Sequence, residues 1–427
     1  MRNKIGILAS CISVFVLGLF ISAIVAAQTG DLKIIKAGTL IDPATSTIKT
    51  NVFIKIRDGR IESIEPAGAL PKDAEVIDLS DKFVLPGLMD AHVHLSAALP
   101  YKRSGLAGYY ANNSSGFRAL TAANNARLFL QNGFTVVKEI GNDANYATAD
   151  VIKAIRSGYF DGPEIVYAGK IIAPFGGQSA GVAPEAGDIW RFEYLDADSA
   201  DEIRKAVRQN IYYGANTIKL VSSPEITSYY DVDEIRAAVD EAGKHGFKVA
   251  VHSLGGQGAT NAILGGAASI EHGFDLTNEQ LEMMKTRGTV LVGTDLWIDN
   301  LEAYGLPPVF AETIFNSTID RLKRADKLGV KMAYGTDVIM EIPGMNRVQT
   351  SNLVLKSWKK AGVPAMKTLQ AMTVNAAELM SMGKSRGRLE KGYIADIVAV
   401  GKNPLEDVEN LSDVAFVMKD GKTIVLK

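Results

Sequence analysis

The sequence predicts an α/β protein: a (β/α)8 TIM barrel with a small β-sandwich built from both chain ends. Three observations predict it. Eight short apolar runs alternate with amphipathic helical stretches through the middle of the chain. β-branched segments separated by turn pairs occupy both ends. Four of the five histidines fall where the apolar runs stop. The expected division is a signal peptide or anchor over 1–27, sandwich over 28–85, barrel over 86–387 and sandwich again over 388–427.

Residues Arg2 and Lys4 open the chain, and no charged residue occurs from 5 to 27. Val25 and Ala27 are small enough to flank a cleavage point before Gln28. The expected destination is therefore the periplasm or the exterior, with no stable membrane association once the segment is removed. The apolar run exceeds an ordinary signal core, so an uncleaved membrane anchor through residues 5–27 stays open. Cys11 follows Leu8-Ala9-Ser10 in a lipoprotein-like box, but it stands too close to Lys4 for a signal core.

Segments 32–37, 52–57 and 60–64 read as strands, the last two joined by the turn Asp58-Gly59. Segments 394–400, 414–419 and 423–426 read likewise around Asp420-Gly421. Short strands at both ends need partners, so they are expected to pair with one another. The barrel-strand candidates are 84–94, 134–140, 164–169, 217–221, 248–252, 268–272, 289–293 and 331–334. Ser199–Glu202 and Thr277–Gln280 carry capping-box spacing at helix starts, and Gly288 suits a left-handed helix end.

Composition narrows the function. Across 427 residues, 46 Lys and Arg face 48 Asp and Glu, giving a net charge of −2. No basic excess supports a nucleic-acid partner. One Cys allows neither an intrachain disulfide nor a Cys-rich zinc site, so any metal must rest on His and carboxylates.

In such barrels the chemistry gathers at the C-terminal ends of the strands. His92 and His94 end the first run, and side chains two apart on a strand share a face, so both imidazoles can bind one ion. His252 and His272 end the fifth and sixth runs, where they are either satisfied core residues or a second pair of ligands. Asp337 follows the eighth run in Tyr334-Gly335-Thr336-Asp337. It is either a turn cap or a carboxylate beside His92 and His94, because strand eight neighbours strand one in a closed barrel. Lys219 interrupts the apolar fourth run. Its amine either reaches the barrel mouth or reacts with carbon dioxide to give N6-carboxylysine, an anionic ligand able to bridge two metals. His245 lies at a helix end and reads as structural.

These residues resemble the amidohydrolase superfamily. The likeness rests on Pro86-Gly87-Leu88-Met89-Asp90-Ala91-His92-Val93-His94, then Lys219, His252, His272 and Asp337, and on Asn375-Ala376-Ala377 and Gly392-Tyr393-Ile394-Ala395-Asp396. Within it the chain is similar to the imidazolonepropionase-like and prolidase-like branch, which includes Xaa-Pro and Xaa-Lys/Arg dipeptidases and ochratoxinase-type amidases. The resemblance implies two divalent ions, usually Zn2+. One would take His92, His94 and Asp337, the other His252 and His272, with carboxylated Lys219 and a hydroxide between them. The implied reaction is hydroxide attack on the amide of a dipeptide, N-acyl amino acid or ochratoxin-like aromatic amide, with Asp337 as general base and acid. It also implies a homo-oligomer.

Where many members of the branch carry Gly-Gly-His after strand three, this chain reads Gly176-Gly177-Gln178. Gln178 donates a hydrogen bond but does not titrate. Gln178 and Tyr229 are the candidate substrate contacts, and Lys102 or Arg103 in the 96–117 segment is a further candidate for a substrate carboxylate. Alternatives are a mononuclear zinc cyclic-amide hydrolase or deaminase, and a catalytically silent scaffold on the same fold. The deaminase reading lacks an acid beside His252-Ser253-Leu254-Gly255-Gly256, and the scaffold reading conflicts with a complete ligand set.

Overall fold

The computed structural model describes residues 32–427, except 72–73, 104, 180–181 and 224–227. Residues 1–27, the expected export signal or anchor, lie outside the described residues. No helix among the described residues is long and apolar enough to cross a membrane.

The chain opens with β1 (Lys33–Asp42), β2 (Thr47–Arg57), β3 (Arg60–Pro66) and β4 (Glu75–Pro86). The barrel strands are β5 (Leu88–Val93), β6 (Phe134–Glu139), β7 (Glu164–Tyr167), β8 (Ile171–Ala173), β9 (Tyr194–Asp196), β10 (Ile218–Val221), β11 (Val249–Ser253), β12 (Ser269–His272) and β13 (Val290–Val292). β14 (Ile397–Val400), β15 (Val414–Lys419) and β16 (Lys422–Leu426) finish the chain.

The two ends do meet. β14 runs antiparallel to β4 with Val398 opposite Leu85, which completes a seven-stranded sheet in the order β16-β15-β14-β4-β1-β2-β3. Hydrogen bonding runs unbroken through this one sheet rather than dividing into two. Its distant strands still share an apolar cluster, with Ile54 of β2 and Phe416 of β15 both fully buried in it. The sandwich-like core is thus closed by one sheet over its own face.

The apolar run 84–94 splits at Gly87 into β4 of the terminal sheet and β5 of the barrel. The Gly87 N–H donates to Asp396 O, and a Cβ there would lie 2.3 Å from the Thr135 hydroxyl. Only glycine lets the chain pass between the two sheets at that point.

The barrel strands alternate with helices such as Ala200–Tyr212, Val232–Gly243 and Gly256–Gly265, which pack outside them. The third barrel position is shared by two pieces: β7 pairs with β6, and β8 pairs with β10 and with β9. Neither β8 nor β9 was expected from the sequence. The eighth run, 331–334, forms no regular strand and carries a single bridge, Met332 to Leu291. It still closes the ring, because Leu291 N–H donates to Lys331 O and Ala91 N–H donates to Tyr334 O. Thr277 and Gln280 form the expected capping box, and Gly288 takes the left-handed cap at φ 75°. Ser199 caps its helix through Glu202 N–H, but the Glu202 carboxylate turns to Asp198 N–H instead.

Candidate active site at the barrel mouth

A cavity of about 280 Å³ opens over the strand ends. His92, His94, Lys219, His252, His272, Asp337 and Gln178 all line it. A larger cavity of about 910 Å³, lined by Tyr101, Phe117 and Arg347 among others, contains none of the histidines. The chemistry belongs to the smaller one.

Local backbone brings the candidate ligands together. Thr336 and Asp337 N–H groups both donate to His92 O, which fastens the turn after the eighth run to β5. Gly335 makes the approach possible, since a Cβ there would lie 2.8 Å from His92 Cβ. Asp337 itself sits at φ 52°, His272 at φ 71° and Thr294 at φ 47°. Left-handed backbone at non-glycine residues costs about 1–2 kcal/mol each, and such strain gathers at functional sites.

Asp337 Oδ1 lies 3.1 Å from His94 Nε2 and 3.5 Å from His92 Nε2, and Oδ2 lies 3.7 Å from His272 Nδ1. The rings of His252 and His272 stand 4.3 Å apart, and those of His92 and His272 5.1 Å. Each ring has its other nitrogen occupied. His92 Nδ1 faces Glu271 Oε2 at 2.7 Å, His94 Nδ1 faces Gly141 O at 2.7 Å, and His272 Nδ1 faces the Thr294 hydroxyl at 2.8 Å. These contacts leave the Nε2 atoms of His92 and His94 facing Asp337. His252 Nδ1 is 3.5 Å from Gln178 Nε2, and Gln178 Oε1 accepts from the Tyr194 hydroxyl.

Electrostatics favour a cation here. Burial pushes the Asp337 carboxyl up, but the adjoining His92 and His94 win and hold it well below the usual range. Burial, reinforced by the Lys219 charge, pulls His252 down to about 3. Burial, with His252 beside it, pulls His272 well below its ordinary value. Burial also pulls Lys219 down to about 8, against the pull of Glu271 and Asp337. Imidazoles beside a carboxylate are the donor set a divalent metal takes, and the ligand atoms of His92, His94 and Asp337 lie within 4.8 Å of one another.

Other expectations fare differently. Tyr229 is 40% exposed and does not line the cavity, whereas its neighbour Tyr230 is buried. Lys102 and Arg103 are exposed outside the cavity, with the Lys102 ammonium over the Tyr101 ring. The 96–117 segment contains a helix, Leu106–Asn112, tied down by the Tyr109 hydroxyl donating to Ser96 O. His245 is exposed and stacks on Phe247, remote from the cavity lining. Sequence reasoning missed Glu271 and Lys138 beneath His92, and Asn142 and Tyr304 on the cavity wall.

A barrel that carries four buried imidazoles, a buried lysine and a carboxylate at its strand ends has the design of a metal-dependent hydrolase. The chain matches the Amidohydrolase family over residues 83–424 and belongs to that family. It is 29% identical to ochratoxinase from Aspergillus niger, over 93% of this chain and 88% of that one. It is 23% identical to imidazolonepropionase from Thermoanaerobacter pseudethanolicus, over 86% of each. Among solved structures it is similar to a Xaa-Pro dipeptidase with methionine bound in its active site, at 30% identity and a TM-score of 0.80, covering 92% of this chain and 100% of that one. The chain is a hydrolase acting on amide bonds.

Proposed function

We propose that this chain is a binuclear metal-dependent amidohydrolase that cleaves a peptide-like amide: a dipeptide, an N-acyl amino acid or an ochratoxin-like aromatic amide. The observation that carries the reading is the convergence of all six candidate ligands on one cavity, with Asp337 Oδ1 3.1 Å from His94 Nε2. His92, His94 and Asp337 would hold one ion, and His252 and His272 the other. N6-carboxylysine at Lys219 would bridge them. Its formation needs only the neutral amine, whose lone pair adds to carbon dioxide as one N–H proton leaves. Burial of Lys219 favours that neutral form. Bound zinc or a similar ion supplies a water acidic enough to ionise near neutral pH and a Lewis acid for the carbonyl.

The protein's own part is positioning and proton transfer. Asp337 takes the proton of the attacking water on a carboxylate oxygen. Because its acidity is strengthened by His92 and His94, it holds that proton weakly and returns it to the departing nitrogen. Glu271, Gly141 and Thr294 keep the imidazoles turned toward the reacting centre. The cavity's apolar wall excludes bulk water from the scissile bond.

The test is metal content together with hydrolysis of a dipeptide and N-acyl amino acid panel, on protein expressed with zinc and bicarbonate. About two ions per chain, with one ion and the activity lost in Lys219→Ala, is the expected result. One ion retained unchanged in Lys219→Ala overturns the binuclear reading in favour of a mononuclear hydrolase. No bound metal leaves a silent scaffold. Export through residues 1–27 is proposed from the sequence, and N-terminal sequencing of the mature chain tests it.

A further inference from the structure

A second cavity adjoins the catalytic one and carries chemistry that the proposed reaction does not use. Its volume is about 910 Å³, within the usual range for a small-molecule site. The two cavities share a wall. Met340 lines both, and the segments that follow the first and eighth runs cross there, with Leu99 N–H donating to Ile339 O and Glu341 N–H donating to Leu99 O. We propose that the outer cavity is a second ligand site, for a small carboxylate with an apolar, aromatic body, whose anionic end meets Arg347.

The first observation is an unpaired cation. The buried arginines among the described residues are Arg118, Arg321, Arg347 and Arg386. Arg118 pairs with Glu193, Arg321 with Asp295 and Arg386 with Asp396. Arg347 alone makes no ion pair among the described residues, and it is the one Arg or Lys among those that line the cavity. Its guanidinium donates to Val338 O and Ala97 O, two neutral acceptors. A guanidinium has more N–H donors than two carbonyls use.

Buried charges are ordinarily paired, and an unpaired one is costly. Burial pulls Arg347 down to about 10, and the pull of Glu341 does not restore it. Arg118 and Arg386 are subject to burial too, yet their carboxylate partners carry both above the ordinary value. Glu341 is exposed on the cavity rim.

The second observation is an apolar lining open to water. Phe117 and Leu120 stand one turn apart on the helix Ser115–Gln131, and Tyr101 and Met345 come from the two crossing segments. All four are large and exposed. Single exposed apolar side chains are ordinary, but several around one hollow mark a binding surface. An aromatic body laid on them leaves water, while its carboxylate gives Arg347 the counter-charge it lacks. Hydrolysis of an amide releases a carboxylic acid, so the neighbouring catalytic cavity generates molecules of this class.

The experiment is calorimetric titration of the metal-loaded full chain with 3-phenylpropionate and with its neutral ketone twin, 4-phenylbutan-2-one. It needs no turnover, so it stands apart from the amide-hydrolase reading. The expected result is saturable binding of the carboxylate, about tenfold or more tighter than the ketone. Leu120→Glu, at a position 73% exposed and so tolerant of change, should weaken carboxylate binding by about tenfold or more, through lost apolar contact and added like charge. Arg347→Met should remove the preference for the carboxylate over the ketone. If that variant does not fold, Leu120→Glu and the ketone decide. Absent binding, equal binding of the ketone, or carboxylate binding unchanged in Leu120→Glu each overturn the inference, the last by placing the carboxylate on the metals instead.

Discussion

Glu271 Oε2 lies 2.7 Å from His92 Nδ1, and both residues are buried. Glu271 Oε1 also takes the Lys138 ammonium at 3.3 Å and the Ser269 hydroxyl at 2.5 Å. The carboxylate therefore fixes the proton of His92 on Nδ1 and leaves Nε2 free to bind. Glu271→Gln removes the charge but keeps the shape, so metal affinity should fall about tenfold or more. Glu271→Leu leaves Lys138 buried and unpaired and should cost about 3 kcal/mol of stability besides. Metal titration and denaturant unfolding on the same preparations separate the two effects, and unchanged affinity in both variants would falsify the positioning role.

Lys219 carries the opposite bargain between stability and function. Its ammonium is held at about 8 by burial, below the ordinary 10.5, so the unfolded chain binds its proton more tightly than the folded one. The penalty is fully present below pH 8 and is relieved as pH climbs from about 8 to 10.5. Lys219→Met fills much the same volume without the charge. In metal-free, carbon-dioxide-free buffer at pH 7 it should be more stable than the unaltered chain by about 3 kcal/mol. That advantage should fade above pH 8. Unfolding curves across that range check both the sign and the window.

Metal removal should be visible without any substrate. The cluster sets His92, His94 and His272 against the Asp337 carboxylate, donors that a divalent cation would take. An ion that binds only the folded state, at a hundredfold over its Kd, adds about 2.7 kcal/mol, or roughly 3 °C in Tm for a chain of this size. Chelation should lower Tm by that order, and zinc but not sodium should restore it. A chelator-insensitive Tm would count against a resident ion.

The candidate ligands were legible because they obey local rules: a strand end, an i, i+2 pair, a turn after the last run. Glu271 was not, for a physical reason. Strand alternation sends neighbours to opposite faces, so Glu271 reads as pointing away from whatever His272 faces. The left-handed His272, at φ 71°, breaks that alternation at the strand end, and both side chains turn inward. Tyr304 and Phe274 lie beyond strand ends, on segments with no motif of their own, and reach the cavity only through the packing of distant loops. The eighth strand was placed correctly by its apolar run, yet only one bridge forms there, because the chain must turn at Gly335 to bring Asp337 over His92. Conversely, the Tyr229 expectation used proximity to β10 alone, and proximity does not fix which of two adjacent tyrosines is buried.

Tyr304 supplies the last prediction. It closes the helix Ile298–Ala303 and lines the cavity, and no hydrogen bond to its hydroxyl is found among the described residues. Burial, together with the nearby Asp337 charge, raises its pKa, so it remains a proton donor across the neutral range. A phenol that is held in place, protonated and unpartnered is free to donate to a substrate carbonyl or amide oxygen. Removing that oxygen costs the protein nothing it already uses. Tyr304→Phe should leave metal content unchanged and shift unfolding stability by less than about 0.5 kcal/mol. It should lower kcat/KM for the amide it turns over by about tenfold, the usual consequence of losing one hydrogen bond to a reacting substrate. If the bond forms only as charge develops on the oxygen, the loss falls on kcat; if it forms equally in the bound substrate, KM rises instead. Steady-state kinetics on the variant, with zinc content measured on the same sample, separates these outcomes. Unchanged kinetics would show that the phenol is only part of the wall.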